Sequence, residues 1–450
     1  MTTKRRLILS TFVAALGGLL FGFDTAVISG TTSALESVYG LSAPELGFTV
    51  SSALIGTILG SIVAGRPADR YGRRTVLFWI AVLYFVSAVG SALAWDWYSF
   101  LLFRFIGGVG VGSSSVIAPM YIAEISPARL RGRLVAVTQF NIVFGMLVAF
   151  FSNYVIAQME LDGTEWRWMF GVEAAPAAVF GFLLFLTPFS PRWLVTKGRV
   201  DEARAVLSTL GTDTDSVDSE IREIQASLDL ENHSLSESLF SRAYRRPIFL
   251  VVAIAMFNQL SGINAVMYYM PKIFKMAGAG EDSALLQTVA VGGILLVVTT
   301  VAMLVIDHLG RRRLMMVGSI GYILSLGTTG WAFHRWGTEF TTTGSVIVLV
   351  SVLVFIASHA FGQGAVIWVF ISEIFPNRVR ARGLALGCFT HWVMAALISW
   401  TFPIFAERSG GYTFVVYAAM MVLQLFWVLR IMPETKGIPL EKIQKELGIS

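Results

Sequence analysis

The sequence predicts an all-α membrane protein in which twelve transmembrane helices form two six-helix halves. Three observations carry this prediction. Of 450 residues, 55% are hydrophobic and only 14% charged, with a mean hydropathy of +0.69, more apolar surface than one or two soluble cores can bury. Twelve stretches meet the requirement of roughly 20 predominantly apolar residues for a span. Charged turns recur between them: Asp69 and Asp307 are 238 residues apart, Glu124 and Glu373 are 249 apart, and Gly22-Phe23-Asp24 precedes Gly262-Ile263-Asn264 by 240. The single cysteine, Cys388, excludes an internal disulfide.

The first helix runs from about Leu7 to Ser29 behind Lys4, Arg5 and Arg6. No small-residue cleavage site follows and Asp24 stands where cleavage would fall, so it is expected to be retained. An outer segment from Thr31 to Glu45 leads to helix 2, about Leu46 to Ala64. The turn Asp69 to Arg74, with Gly72 free to take the backbone angle of a tight corner, returns the chain to helix 3, about Thr75 to Ala94. Helix 4, about Tyr98 to Ile122, carries Arg104 and then Gly107, Gly108, Gly110 and Gly112, small residues that let helices approach closely. A second turn, with Glu124, Arg129, Arg131 and Arg133, precedes helix 5, about Leu134 to Gln158. Helix 6 follows Trp166, Arg167 and Trp168, runs to about Pro188, and contains a second intramembrane acid, Glu173.

Residues 1–190 are thus the first half. Residues 191–246 read as a cytoplasmic linker, with amphipathic surface helices at Asp201 to Leu210 and Ser219 to Leu228. The second half, 247–433, opens with helix 7 at Pro247, where Asn258, Gln259, Ser261, Asn264, Tyr268 and Tyr269 gather before Pro271. Helix 8, about Leu285 to Ile306, ends in Asp307 to Arg313, and helix 9 runs from Leu314 to about Ala332. Helix 10, about Ser345 to Ser372, carries Gly362, Gly364 and Trp368 and is followed by Glu373, Arg378, Arg380 and Arg382. Helices 11 and 12 cover about Gly383 to Phe405 and Tyr412 to Met432, and 434–450 form a tail. Of 34 Lys and Arg, Arg104 lies within a span and only Arg167, Lys272, Lys275, Arg335 and Arg408 fall outside; the rest flank inner segments and place both termini in the cytoplasm. Parallel halves of this kind are expected to bind substrate between them near the midplane and to rock.

An acid inside a span is costly by at least ~2.5 kcal/mol even on a lenient scale, so Asp24 needs a partner or a water-filled path. The amides and tryptophans of the second half would suit a sugar, whose rim needs donors and acceptors and whose ring needs a flat apolar surface. Amides in membrane helices also serve simply to tie helices together. No nucleotide loop, metal cluster or nucleophile triad stands out, so neither enzymatic activity, cofactor, metal nor nucleic acid is expected.

The GRR turns after helices 2 and 8, Glu124 with Arg131-Gly132-Arg133, Pro188 to Trp193, the run Gln259 to Val266, and Pro433 to Gly437 resemble the sugar porter branch of the major facilitator superfamily along essentially the whole chain. They are most similar to its bacterial proton-coupled xylose and hexose symporters, because Asp24 stands where uniporting facilitators have asparagine. The resemblance implies a monosaccharide site of Gln139, Gln259, Asn264 and Trp368, with Asn258, Phe21, Tyr268, His391 and Trp392 around them. It implies proton coupling at Asp24 against Arg104, with Glu173 as third member; the alternative is a permanent ion pair fixing two helices. It implies a cytoplasmic latch of Glu124, Glu373 and Glu434 against Arg70, Arg73, Arg131, Arg311 and Arg380, whose partners are not readable from sequence and which also serve as topology signals. Asn258, Met146 and His391 replace family amides, Gln363, Ala365 and Ile367 replace helix 10 prolines, and Phe189 replaces a latch glutamate. The expectation is a monomeric proton–sugar symporter of a bacterial inner membrane; the alternatives are a uniporter, a non-transporting sensor and a proton-driven exporter. The short tail argues against a sensor, and the paired helix 7 amides argue against an exporter.

Overall fold

The computed structural model describes residues 3–127, 130–210, 214–234, 238–337, 339–438, 442–443, 445 and 447–449, and every regular element among them is helical. Among the described residues twelve helices are long and apolar enough to cross a membrane, from Leu7–Gly30 to Gly411–Arg430. Three spans are interrupted where the sequence reads as continuous. The sixth breaks between Glu165–Gly171 and Ala174–Leu184, with Glu173 at the break. The seventh breaks at Ser261 and Gly262, between Arg245–Leu260 and Ile263–Met276. The tenth breaks at Gly362, whose φ and ψ are both −96°, between Thr342–Phe361 and Gln363–Ile374.

The break at Gly262 has two causes. Its φ is +80°, a conformation that glycine adopts without steric penalty, and an added Cβ would stand 2.4 Å from the Tyr417 ring. Gly262→Ala is therefore expected to destabilise the fold by about 1–3 kcal/mol. Thermal unfolding of the detergent-solubilised protein reads this as a fall of several degrees in Tm, and an unchanged Tm would contradict it.

The chain packs as two compact units. One comprises 1–25, 55–146 and 170–237; the other comprises 26–54, 147–169 and 238–450. In the first unit the second and fourth spans touch backbone to backbone, since a Cβ on Gly60 or Gly112 would lie 2.2 Å from the Val109 carbonyl or 2.1 Å from that of Thr57. The fourth span starts at a capping box, where the Asp96 carboxylate accepts from the Ser99 amide at 2.7 Å and the Ser99 hydroxyl faces the Asp96 amide at 3.1 Å. Hydrogen bonding to Ser99 holds the Asp96 carboxyl below its usual value.

The segment after the sixth span forms three helices rather than two: Pro191–Thr196, Val200–Leu210 and Thr214–Ser234. The first is capped by the Ser190 hydroxyl, and it packs Trp193, Leu194 and Val195 against Ala203. The segment Thr31 to Glu45 likewise holds a helix, Thr32–Tyr39.

In the second unit a core of Leu250, Ile254, Leu314, Phe370, Ile371 and Val428 joins the inner surfaces of its helices. Segments 26–54 and 147–169 are tied in by polar contacts: Lys272 to Glu36 at 2.7 Å, the Trp400 indole N–H to the Pro44 carbonyl at 3.1 Å, and the Gln158 amide to Asp282 at 2.8 Å.

Candidate functional site

Within the first unit, Arg104 donates from Nη1 to Asp24 Oδ1 at 2.7 Å and from Nη2 to the Asp24 carbonyl at 3.1 Å, and both residues are almost wholly buried. Arg104 also stands 5.2 Å over the Phe170 ring, which walls it from water. Glu173, at the break in the sixth span, lies within Coulombic range of both members of the pair. Two carboxylates thus lie in the field of one guanidinium. Charge balance leaves one negative charge over when all three are ionised, and a low-dielectric interior penalises that.

Several polar atoms around this triad have no hydrogen-bond partner among the described residues: Asp24 Oδ2, Arg104 Nε, Glu173 Oε1 and Ser87 Oγ. Buried groups of this kind are normally paired, and unpaired ones cluster where function needs them. Gly107 makes the arrangement possible, because a Cβ there would lie 2.3 Å from Ser87 Oγ and 3.0 Å from Asp24 Oδ1. The sequence shows Gly107 only as one member of a small-residue series. Tyr84 and Ser87, on the third span, gave no signal beyond being polar in an apolar helix.

Gln139 and Phe21 also belong to this unit. Gln139 is half-buried and makes no side-chain hydrogen bond among the described residues, while Phe21 is buried.

In the second unit the amides form a chain. Gln259 donates to Asn258 Oδ1 at 3.0 Å, Asn258 to Gln363 Oε1 at 3.3 Å, Gln363 to Gln424, and Gln424 to Ser319 Oγ at 2.8 Å. All five side chains are buried. Gln259 Nε2 also lies 3.3–3.4 Å from the ring nitrogens of His391, whereas Gln259 Oε1 is buried without a partner. His391 in turn contacts Trp368 and Trp392, with ring centroids 5.2 and 4.9 Å away.

The structure thus gathers Asn258, Gln259, Trp368, His391 and Trp392 in one cluster. Both ends of the Asn258 amide are engaged inside the chain, where it supports Gln259. Asn264 and Tyr268 lie past the Gly262 break: Asn264 is half-buried with no side-chain hydrogen bond among the described residues, and Tyr268 is buried. Sequence reading missed Gln424 and Ser319. Gln424 is the one amide in an otherwise apolar twelfth span, and that was the available signal.

The charged turns close two parallel clusters, one in each unit. In the first, Arg73 pairs with Glu124 and Asp69 at 3.0 and 3.1 Å, and Ser190 donates to Glu124. In the second, Arg311 pairs with Glu373 at 2.7 Å, and Thr435 donates to Glu373 at 2.6 Å. Glu434 additionally accepts from the backbone amides of Arg311 and Arg312 at 3.0 and 3.1 Å, capping the ninth span. Phe189 precedes Ser190 as Glu434 precedes Thr435, so the first cluster lacks this cap; Phe189 instead stacks on Trp193 with Arg74 4.9 Å over its ring. Arg70 lies over Tyr71 at 5.2 Å and Arg380 donates to the Phe375 carbonyl at 3.4 Å, so neither makes an ion pair among the described residues. The side chain of Arg131 lies outside the described residues.

A helical membrane chain that keeps a charge-imbalanced triad dry in one unit and holds an open amide acceptor beside tryptophans in the other is built as a secondary transporter. The model of the Sugar (and other) transporter family matches residues 10–447, and the chain belongs to that family. It is 38% identical to the D-xylose-proton symporter of Escherichia coli (strain K12), over 96% of this chain and 94% of that protein. It is 35% identical to the arabinose-proton symporter of Bacillus subtilis (strain 168), over 97% and 94%. Among solved structures it is similar to the inward open conformation of the xylose transporter XylE from E. coli, with a TM-score of 0.86, 37% identity, and coverage of 98% of this chain and 99% of that one.

Proposed function

We propose that the protein takes up a monosaccharide, a pentose or hexose, together with a proton by alternating access. The observation that carries the sugar half is the unpartnered, buried Oε1 of Gln259 beside His391 and Trp368. A sugar hydroxyl supplies the missing donor, and the indole supplies the ring platform. Each such hydrogen bond contributes about 1 kcal/mol net. A few of them give micromolar to millimolar affinity, loose enough for release on the far side. Gln139, Asn264, Phe21 and Tyr268 complete the sugar contacts in this reading.

The proton half rests on Asp24, Arg104 and Glu173. A single proton closes the triad's charge balance and loosens the hold of Asp24 on Arg104, which lets the two helices rearrange. The symporters it resembles, with arabinose and xylose in their names, support this assignment. We place the protein as a monomer in a bacterial inner membrane, with both termini and the charged clusters on the cytoplasmic side, where the clusters act as latches.

The test is uptake of radiolabelled D-xylose, L-arabinose and D-glucose into proteoliposomes, with and without an imposed inward proton gradient. Accumulation of at least one sugar above its external concentration, only with the gradient, is the expected result. Equilibration without accumulation makes the protein a uniporter, and no uptake of any sugar rejects the reading.

A further inference from the structure

The third span, Arg73–Ala92, carries a polar stripe on its buried face. Tyr84, Ser87 and Ser91 fall at i, i+3 and i+7, one side of a helix, and all three are almost wholly buried. The stripe faces the triad. Tyr84 lies within Coulombic range of Asp24 and Glu173, and Ser87 Oγ and Asp24 Oδ1 both lie within 3.0 Å of the point where a Cβ on Gly107 would stand. One water can bridge two oxygens that close. Ser91 stands one turn further along, beside the end of the helix, where Leu93 is exposed. The break in the sixth span packs against that end, since a Cβ on Gly171 would stand 3.3 Å from the Ala92 Cβ.

Tyr84 is engaged with Ser114. The hydroxyls of Ser87 and Ser91 have no hydrogen-bond partner among the described residues. A serine inside a helix commonly closes onto the carbonyl one turn back, as Ser319 does onto Met315 and Ser325 onto Gly321, each at 2.7 Å. Ser87 and Ser91 do not, although alanine would fill either place without leaving a polar atom unpaired. Their open hydroxyls sit one turn apart on one face and lead to Asp24 Oδ2 and Glu173 Oε1, which are unpaired as well.

We infer that Ser91 and Ser87 form a proton relay that joins the outer surface to Asp24. This rests on the proton-coupled reading and its topology, in which the Ala92 end of the third span is outermost. A proton from outer water enters on a lone pair of the Ser91 oxygen as that hydroxyl gives up its own. An intervening water carries it one turn, about 5–6 Å, to Ser87. Ser87 in the same way passes a proton to the Asp24 carboxylate, which becomes a carboxylic acid. One O–H bond forms at Asp24 for the one broken at the entering hydronium ion, each serine ends neutral as it began, and no electron moves. The charged and titratable groups facing this path are Asp24, Arg104, Glu173 and Tyr84, and the exposed Asp96 lies beyond its outer end.

The experiment uses proteoliposomes and whichever of D-xylose, L-arabinose and D-glucose the wild type accumulates. Proton-driven uptake is measured at acidic and at alkaline external pH, alongside exchange of labelled for unlabelled sugar at acidic pH. Ser91→Ala and Ser87→Ala are each expected to slow driven uptake by about five- to tenfold at alkaline pH, where proton supply limits the rate. Both should recover at acidic pH and keep exchange within about twofold of wild type. Ser91→Cys keeps the volume but bonds poorly, so it should show the same loss, and it serves if the alanine variant does not fold.

Driven uptake within about twofold of wild type at alkaline pH in both single variants and in the double variant would overturn the inference. An equal loss at both pH values, or a parallel loss in exchange, would also overturn it, because a packing defect gives that pattern. Wild-type protein that equilibrates sugar but never accumulates it under a proton gradient would reject the proton-coupled reading itself, and with it this relay.

Discussion

Asp24→Asn is expected to abolish uphill accumulation of sugar in proteoliposomes under an imposed proton gradient while leaving sugar binding in place. Wild-type coupling has a definite capacity: one proton moving inward with each sugar supplies about 2.3 kcal/mol per 100 mV. At about 1.4 kcal/mol per tenfold, that concentrates sugar several tens of times. The asparagine fits the same space and still accepts from Arg104, so the 2.7 Å contact survives in neutral form. It cannot take or release a proton, however, and the triad then holds one carboxylate and one guanidinium in permanent balance. Exchange of labelled for unlabelled sugar down a gradient should continue. If the variant accumulates sugar to the wild-type level, Asp24 is not the coupling acid.

Gln259→Ala is expected to weaken sugar binding by about 1–3 kcal/mol, or roughly five- to a hundredfold. The truncation removes the open acceptor and also leaves Asn258 Oδ1 without its donor at 3.0 Å. The rest of the chain, from Asn258 to Ser319, remains paired, so expression and folding should be largely intact. Trp368→Ala should weaken binding in the same way by removing the ring platform. Calorimetry on folded protein decides the matter, and affinities unchanged in both variants would reject this cluster as the sugar site.

The twelve spans and their turns were legible because lipid imposes a length and an apolarity that hydropathy reads directly. The acid at Asp24 was equally legible, since one carboxylate in a run of apolar residues has no bland explanation at the level of composition. Its pairing with Arg104 came only through family resemblance, because residues 80 positions apart carry no local signal. The helix breaks were harder. Gly262 and Gly362 look like any other glycine in a membrane helix, and Gly262 is decided by the Tyr417 ring, 155 residues further on. Likewise Gln363 and Gln424 read as two isolated amides until the fold set them side by side.

That amide chain has a boundary condition at its far end. Ser319 gives its one proton to the Met315 carbonyl at 2.7 Å, so its oxygen is left only to accept from Gln424. Gln424 must then turn its nitrogen toward Ser319 and its oxygen toward Gln363, and the same orientation is forced on Gln363, Asn258 and Gln259 in turn. No single amide can flip without its neighbours flipping too. The backbone of the ninth span thereby dictates, four side chains away, that Gln259 shows an oxygen and not a nitrogen at its open end. Aligned dipoles also reinforce one another, which makes that oxygen a stronger acceptor than an isolated glutamine provides.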